Sequence, residues 1–252
     1  MSYIDLKPTL ASWPYDPEQI SVRKILSNDG VVCVQMRVEL GVLQMEVDGR
    51  PDGCRPHGCT SLLEYHGKRL AAYEEQNGST AGFELSPRQC QSLRAEASAY
   101  YRRYVAFFVL EEYANVARDT SHNLAIFDLC RDYAAAMEDR SCLEQFRPYV
   151  LMMDARARAY YALGQDEPVS ALAHVNRGIM SIQAFFSDQG HHDSAELSEE
   201  LRILRTLAGE IGRQMPEDSL LATRKALRTA IEQERFEDAA RLRDELAKHY
   251  ER

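Results

Sequence analysis

No C-x-x-C pair occurs in this 252-residue chain, although it contains six cysteines: Cys33, Cys54, Cys59, Cys90, Cys130 and Cys142. Cys33, Cys90 and Cys130 lie in apolar or helical surroundings, where a thiol is usually a small buried side chain. Reduced thiols in a cytoplasmic compartment are therefore expected. No stretch approaches 18 uncharged apolar residues, so no membrane span is expected. The opening Met-Ser-Tyr-Ile-Asp-Leu-Lys has neither the basic region nor the apolar run of a secretory signal. Phosphate-cradling glycine loops, nucleophile elbows and dinucleotide fingerprints are also missing, which removes the common signatures of nucleotide and acyl-transfer chemistry. Positive charge is scarce, with a formal net of −9 and a pI near 5.3. Residues 219–252 carry eight Lys/Arg against seven Asp/Glu, which leaves −10 on residues 1–218. Such a surface repels phosphate backbones, and direct nucleic-acid binding is not expected.

What is present is enough apolar material for a core, 45% of residues. Residues 1–20, with Pro8, Pro14, Pro17, Trp13 and Tyr15, have few backbone donors and no period, and should lie extended across a domain surface. Ser21–Leu26, Val31–Val38 and Gly41–Val47 are rich in Val, Ile, Leu and Met, and Ser27-Asn28-Asp29-Gly30 supplies turn chemistry. Val32, Val34, Met36 and Val38 alternate with Cys33, Gln35 and Arg37, predicting an antiparallel sheet of two or three strands with one wetter face. A sheet that small must lean on helices.

After a turn-rich loop, the rest of the chain reads as helical. Thr60 or Ser61 caps a helix running to about Gln76, and Ser86-Pro87 opens another that extends toward Arg118. Further helices are expected near 121–138, 142–163, 168–187 and 194–215. In the last, Leu197, Leu201, Leu204, Ala208, Ile211 and Met215 form a coiled-coil-like seam for packing along another helix. The predicted fold is mainly α with a small N-terminal antiparallel sheet: 1–59 a β-hairpin and loop segment, 60–215 a helical body, 216–252 a terminal helical hairpin. The body reads as a bundle or as helical hairpins. Ala159-Tyr-Tyr-Ala162-Leu-Gly164, followed by Ala171, Ala173 and Gly178, resembles a tetratricopeptide unit, without a clean 34-residue period.

In the terminal segment, Leu220, Leu227 and Ile231 stripe one short helix and Ala239, Leu242 and Leu246 the next, with Phe236 at the turn and Ala240 and Arg243 flanking. Two helices of about 14 residues bury too little surface to be secure alone, so the hairpin should gain stability by association. Phe236-Glu237-x-Ala239-Ala240-x-x-Arg243-Asp244-x-Leu246, preceded by Leu227 and Ile231, resembles the UVR motif. That motif is the hairpin through which the excision-repair proteins UvrB and UvrC meet; it also occurs in Clp chaperone and arginine-kinase activator systems. The resemblance implies a protein–protein contact made by Leu227, Ile231, Phe236, Ala239, Ala240, Leu242, Arg243, Asp244 and Leu246, with a partner or with a second copy. It does not imply repair chemistry, because no Walker loop, helicase or nuclease pattern accompanies it. The segment Leu43–Gly53 through Ser61–His66 is similar to the amino-terminal part of bacterial proteins that end in the same motif, a family to which the resemblance attaches no activity.

Two further segments carry ligand-type residues. Cys54, His57, Cys59 and His66 are ligand types that zinc accepts, but their spacing is irregular, and neither metal nor cofactor is expected. Asp48–Gly53 lacks the bidentate glutamate of a calcium loop and reads as a turn in which Arg50 or Asp52 clamps the loop to the helices. The expected function is a non-enzymatic cytoplasmic adaptor. The alternatives are an accessory factor recruited to nucleotide-excision repair, and a ligand-binding or enzymatic domain built on the aromatic row Tyr100, Tyr101, Tyr104, Phe107 and Phe108.

Overall fold

In a computed structural model of the chain, residues 5–190, 197–214, 227–231, 235 and 237–243 are described. The chain is mainly helical with a small three-stranded antiparallel sheet near its N-terminus. It divides into two compact units, Met1–Arg147 and Pro148–Arg252.

In the first unit, a short helix α1 (Lys7–Ser12) precedes β1 (Val22–Leu26), β2 (Val32–Val38) and β3 (Gly41–Glu46), which pair in that order. Leu26 pairs with Val32 across the first hairpin and Val38 with Gly41 across the second. The first turn closes through Ser27 N–H to the Val31 carbonyl at 2.8 Å, with Gly30 at φ +81°, a value glycine reaches without a Cβ penalty. Val34 and Met36 are buried as the alternation predicts, but so are Cys33 and Arg37 on the other face. The N-terminal segment covers that face: Arg37 Nε donates to the Trp13 carbonyl at 2.7 Å, and Arg23 sits 4.1 Å over the Trp13 ring.

Helix α2 (Leu62–Asn77) starts at Ser61, whose Oγ accepts from Glu64 N–H, and stops at left-handed Gly78. Helix α3 (Pro87–Val109) opens with a reciprocal capping box between Ser86 and Gln89 and with proline in its first turn. It does not continue to Arg118. Glu111 takes φ +59° and the chain reverses, so that α4 (Tyr113–Tyr133) packs back on α3. The hydrophobic period runs through this break because both helices turn their apolar stripes toward each other. A short helix α5 (Met137–Ser141) completes the unit.

The second unit contains most of α6 (Arg147–Gly164), with α7 (Pro168–Asp188) and α8 (Glu199–Gln214). Small residues let α6 and α7 approach: Ala155, Ala157, Ala159, Ala171 and Ala173 are all buried. Helix α8 packs on α7, and Leu201, Leu204, Leu207 and Ile211 form its buried seam. Leu197 is left out of that seam and exposed, because the helix starts after it: Ser198 Oγ accepts from Leu201 N–H at 3.2 Å. Among the described residues, no helix is long and apolar enough to cross a membrane.

Candidate functional site

The turn-rich loop after β3 is held by a network of buried charges. Arg103 and Asp119, both fully buried, face each other from α3 and α4 with a bidentate pair at 2.7 and 2.8 Å. The free end of the Arg103 guanidinium donates to the carbonyls of Glu46 and Gly49, both at 2.8 Å. Arg118 adds bonds to the Val47 carbonyl and to Asp48. The end of β3 and the start of the loop are thus tied to two helices by backbone acceptors rather than by side-chain packing.

Glu96, also fully buried, takes the other end of the loop. Its carboxylate accepts from the N–H groups of Leu62 and Leu63 at 2.8 and 3.1 Å and lies 3.2 Å from His122 Nε2. Leu62 and Leu63 are the first residues of α2, so a carboxylate from a different helix meets the positive end of that helix dipole. Arg50 reaches Glu96 at 3.4 Å and clamps the loop as expected. Burial pushes the Glu96 carboxyl up, but the His122 contact and the two backbone N–H groups outweigh it and hold it below the usual glutamate value. Tyr100 stacks on His122 with ring centroids 3.7 Å apart and donates to the Gly49 carbonyl at 3.2 Å. Burial pushes its phenol up to about 12, so it stays a neutral donor. Both carboxylates are occupied by cations or backbone donors, an arrangement that fixes the loop.

The possible zinc ligands each have separate surroundings. Cys54 is exposed. His57, at φ +52°, stacks on Tyr65 with centroids 4.0 Å apart. Cys59 is buried with Lys68 Nζ at 3.9 Å. His66 is buried with Arg69 at 3.0 Å from Nδ1. Among the described residues, no group of three or more His, Cys, Asp or Glu is arranged to hold a metal ion.

His66 carries a pH prediction. Burial first, and then the Arg69 charge, lower its pKa to about 4, so in the native state it is a neutral acceptor of the guanidinium proton. The unfolded chain protonates this imidazole near its ordinary value of 6.5, well before the folded chain does. Stability should be flat above that pH and fall as pH drops from 6.5 toward 4, by up to about 3 kcal/mol from this group. Urea unfolding of wild type and His66→Gln at pH 7.5 and 5.0 checks it: the variant should lose less on acidification, and equal losses would rule His66 out as the source.

Of the aromatic row, Tyr100, Tyr104 and Phe107 are buried in the core and Tyr101 is exposed. Glu96, Arg103, Asp119 and His122 were not anticipated as a group. A signal existed for two of them, because Glu96 and Arg103 sit on the same helical stripe as Leu93, Tyr100 and Phe107, and a charge on a buried stripe demands a partner.

At the C-terminal hairpin, Leu227 and Leu242 are half-buried, Ile231 is 55% exposed, and Ala240 and Arg243 are exposed. Ala239 is buried, and so is Ala230, which was not singled out from the sequence. Arg235 N–H bonds back to the Ala230 carbonyl at 2.8 Å, and its own carbonyl accepts from Ala239 N–H at 2.9 Å. Phe236, Asp244 and Leu246 lie outside the described residues. The model of the UvrB/uvrC motif matches residues 217–249. The chain carries a UVR motif. The UVR segment contains all nine residues singled out from the sequence as partner-binding candidates. No curated protein and no solved structure matches the chain. The UVR motif is a protein-interaction element, which supports a protein partner in general.

Proposed function

We propose that this protein is a non-enzymatic cytoplasmic adaptor whose UVR hairpin docks on a protein partner or on a second copy of the chain. The observation that carries this reading is Ile231, an aliphatic side chain more than half exposed on a matched interaction motif. With half-buried Leu227 and Leu242 it offers an apolar strip, and Phe236 and Leu246 are the remaining apolar residues of the motif by sequence. Burying three or four such side chains at roughly 1.5–3 kcal/mol each is enough for a useful interface. Arg243 and Asp244 set orientation as rim charges. The acidic body makes neither nucleic acid nor membrane a direct partner, and neither metal nor cofactor takes part.

Ile231→Asp tests the strip without disturbing a buried position. Full-length protein and variant are compared by size-exclusion with light scattering and by capture of tagged wild-type chain. The expected result is loss of self-association or of partner capture with unchanged helical content. Unchanged mass and capture in both the point variant and a chain ending at Met215 would remove the hairpin as an association element.

A second reading, favoured by the name of the matched motif, is an accessory factor recruited to nucleotide-excision repair through the same hairpin. Co-capture of excision-repair proteins that is lost in Ile231→Asp supports it. Salt-sensitive DNA binding by the isolated chain would overturn the charge-based exclusion of nucleic acid.

A further inference from the structure

Arg37, near the end of β2, is only 8% exposed, yet its hydrogen-bond acceptors are all neutral. Nε donates to the Trp13 carbonyl at 2.7 Å, and Nη1 is shared among the carbonyls of Val38, Glu39 and Gly41. Nη2 makes no hydrogen bond among the described residues and is not sealed from solvent. No described carboxylate forms an ion pair with this side chain. Arg103, equally buried, shows the contrast with its bidentate Asp119. A guanidinium keeps its charge wherever it sits, and carbonyl dipoles compensate a buried charge only in part. Arg37 also lines a cleft of about 300 Å³ within the first unit, between residues 15–20, the end of β2 and α3. Sites for small molecules start at roughly that volume. Tyr101 and Val105, one helical turn apart on α3, line the cleft together with Tyr15 and Met36. The Arg37 guanidinium stands 5.7 Å from the centre of the Tyr15 ring. Asp16, Glu18 and Glu39, all exposed, line the same cleft against one further cation, Arg102.

We propose that this cleft binds a small monocarboxylate with an apolar body, its carboxylate on Nη2 of Arg37. The anion gives the buried guanidinium a counter-charge through charge-assisted hydrogen bonds, the strong class of such bonds. The body of the ligand covers Tyr15, Met36, Tyr101 and Val105, and its burial adds the apolar share of the affinity. The three exposed carboxylates select against phosphate esters, whose second negative charge they repel. A single negative charge held deep by Arg37 meets that repulsion least. Tyr101 is the member of the aromatic row that the core leaves exposed, and this cleft gives its ring a use. The site belongs to the first unit and stands or falls independently of the UVR hairpin.

The test is titration calorimetry of the full-length protein with phenylpropionate, phenylpropanamide and phenyl phosphate as probes. Trp13 is the only tryptophan of the chain, and Arg37 holds its carbonyl, so its fluorescence is a second readout of the same site. Phenylpropionate should bind at millimolar concentration or below and shift the Trp13 emission. The amide, which has the same body without the charge, should bind about tenfold more weakly or worse. Phenyl phosphate should also bind more weakly than phenylpropionate. Arg37→Lys keeps the positive charge but has no Nη2, and it should weaken phenylpropionate several-fold. Val105→Trp fills the cleft with Arg37 left in place; it should abolish binding at an unchanged thermal midpoint, and it decides the matter if Arg37→Lys does not fold. No binding of phenylpropionate at millimolar concentration would overturn the assignment. So would equal affinity for the amide, tighter binding of phenyl phosphate, or binding that survives Val105→Trp.

Discussion

Asp119→Ala should destabilise the first unit by about 3–5 kcal/mol, the cost of leaving one member of a buried ion pair alone. The Arg103 guanidinium has no access to solvent and cannot shed its charge. Without the carboxylate it keeps only the carbonyls of Glu46 and Gly49 and the ring faces of Tyr100 and Phe107 as partners. Asp119→Asn, which keeps an acceptor oxygen but not the charge, should fall between the two. Asp48→Ala supplies the contrast. Asp48 also accepts from an arginine of α4, but its side chain is 89% exposed, and an ion pair in water is worth about 1 kcal/mol or less. Urea midpoints for the three variants check this, and equal losses at positions 119 and 48 would show that burial of the pair carries no special weight.

Gly178→Val should cost the second unit about 3 kcal/mol, the upper part of the usual range for overpacking. A Cβ at Gly178 would stand 2.4 Å from the Ala155 Cβ and 3.1 Å from Leu204 Cδ1. The leucine tip can rotate away. The alanine Cβ cannot move without its backbone, so α6 and α7 must separate. Gly178→Ala should lose less, because alanine recovers about 1 kcal/mol of helix propensity. Gly209, inside α8 with nothing within 4 Å of its Cβ position, gives the opposite sign: Gly209→Ala should stabilise by up to about 1 kcal/mol. Thermal unfolding of the three variants separates the close approach from the glycine effect. Gly178→Val at wild-type stability would mean that α6 and α7 do not meet at this residue.

The strands, the helix starts at Ser61 and Ser86, and the terminal motif were legible in the chain because each depends on residues a few positions apart. A period of two, a proline after a capping serine, or aliphatic stripes flanking a turn all act locally. The same locality explains what was misread. The apolar stripe crosses Glu111 without interruption, so the first helix was carried on toward Arg118 and the second was expected only near 121, and only the reversal that lets them pack shows the break at Glu111. Cys33 and Arg37 belonged to a wetter face until Trp13 was laid over it.

Pairings between distant residues came from the tertiary structure alone. Arg103 meets Asp119, Glu96 caps a helix that begins 34 residues before it, and Cys90, Cys130 and Cys142 share one corner. Each of these carries a physical requirement visible in the sequence: a buried charge needs a counter-charge and a helix start needs acceptors. The identity of the partner is fixed only when the chain folds, because many residues satisfy the same requirement and packing brings one of them within reach.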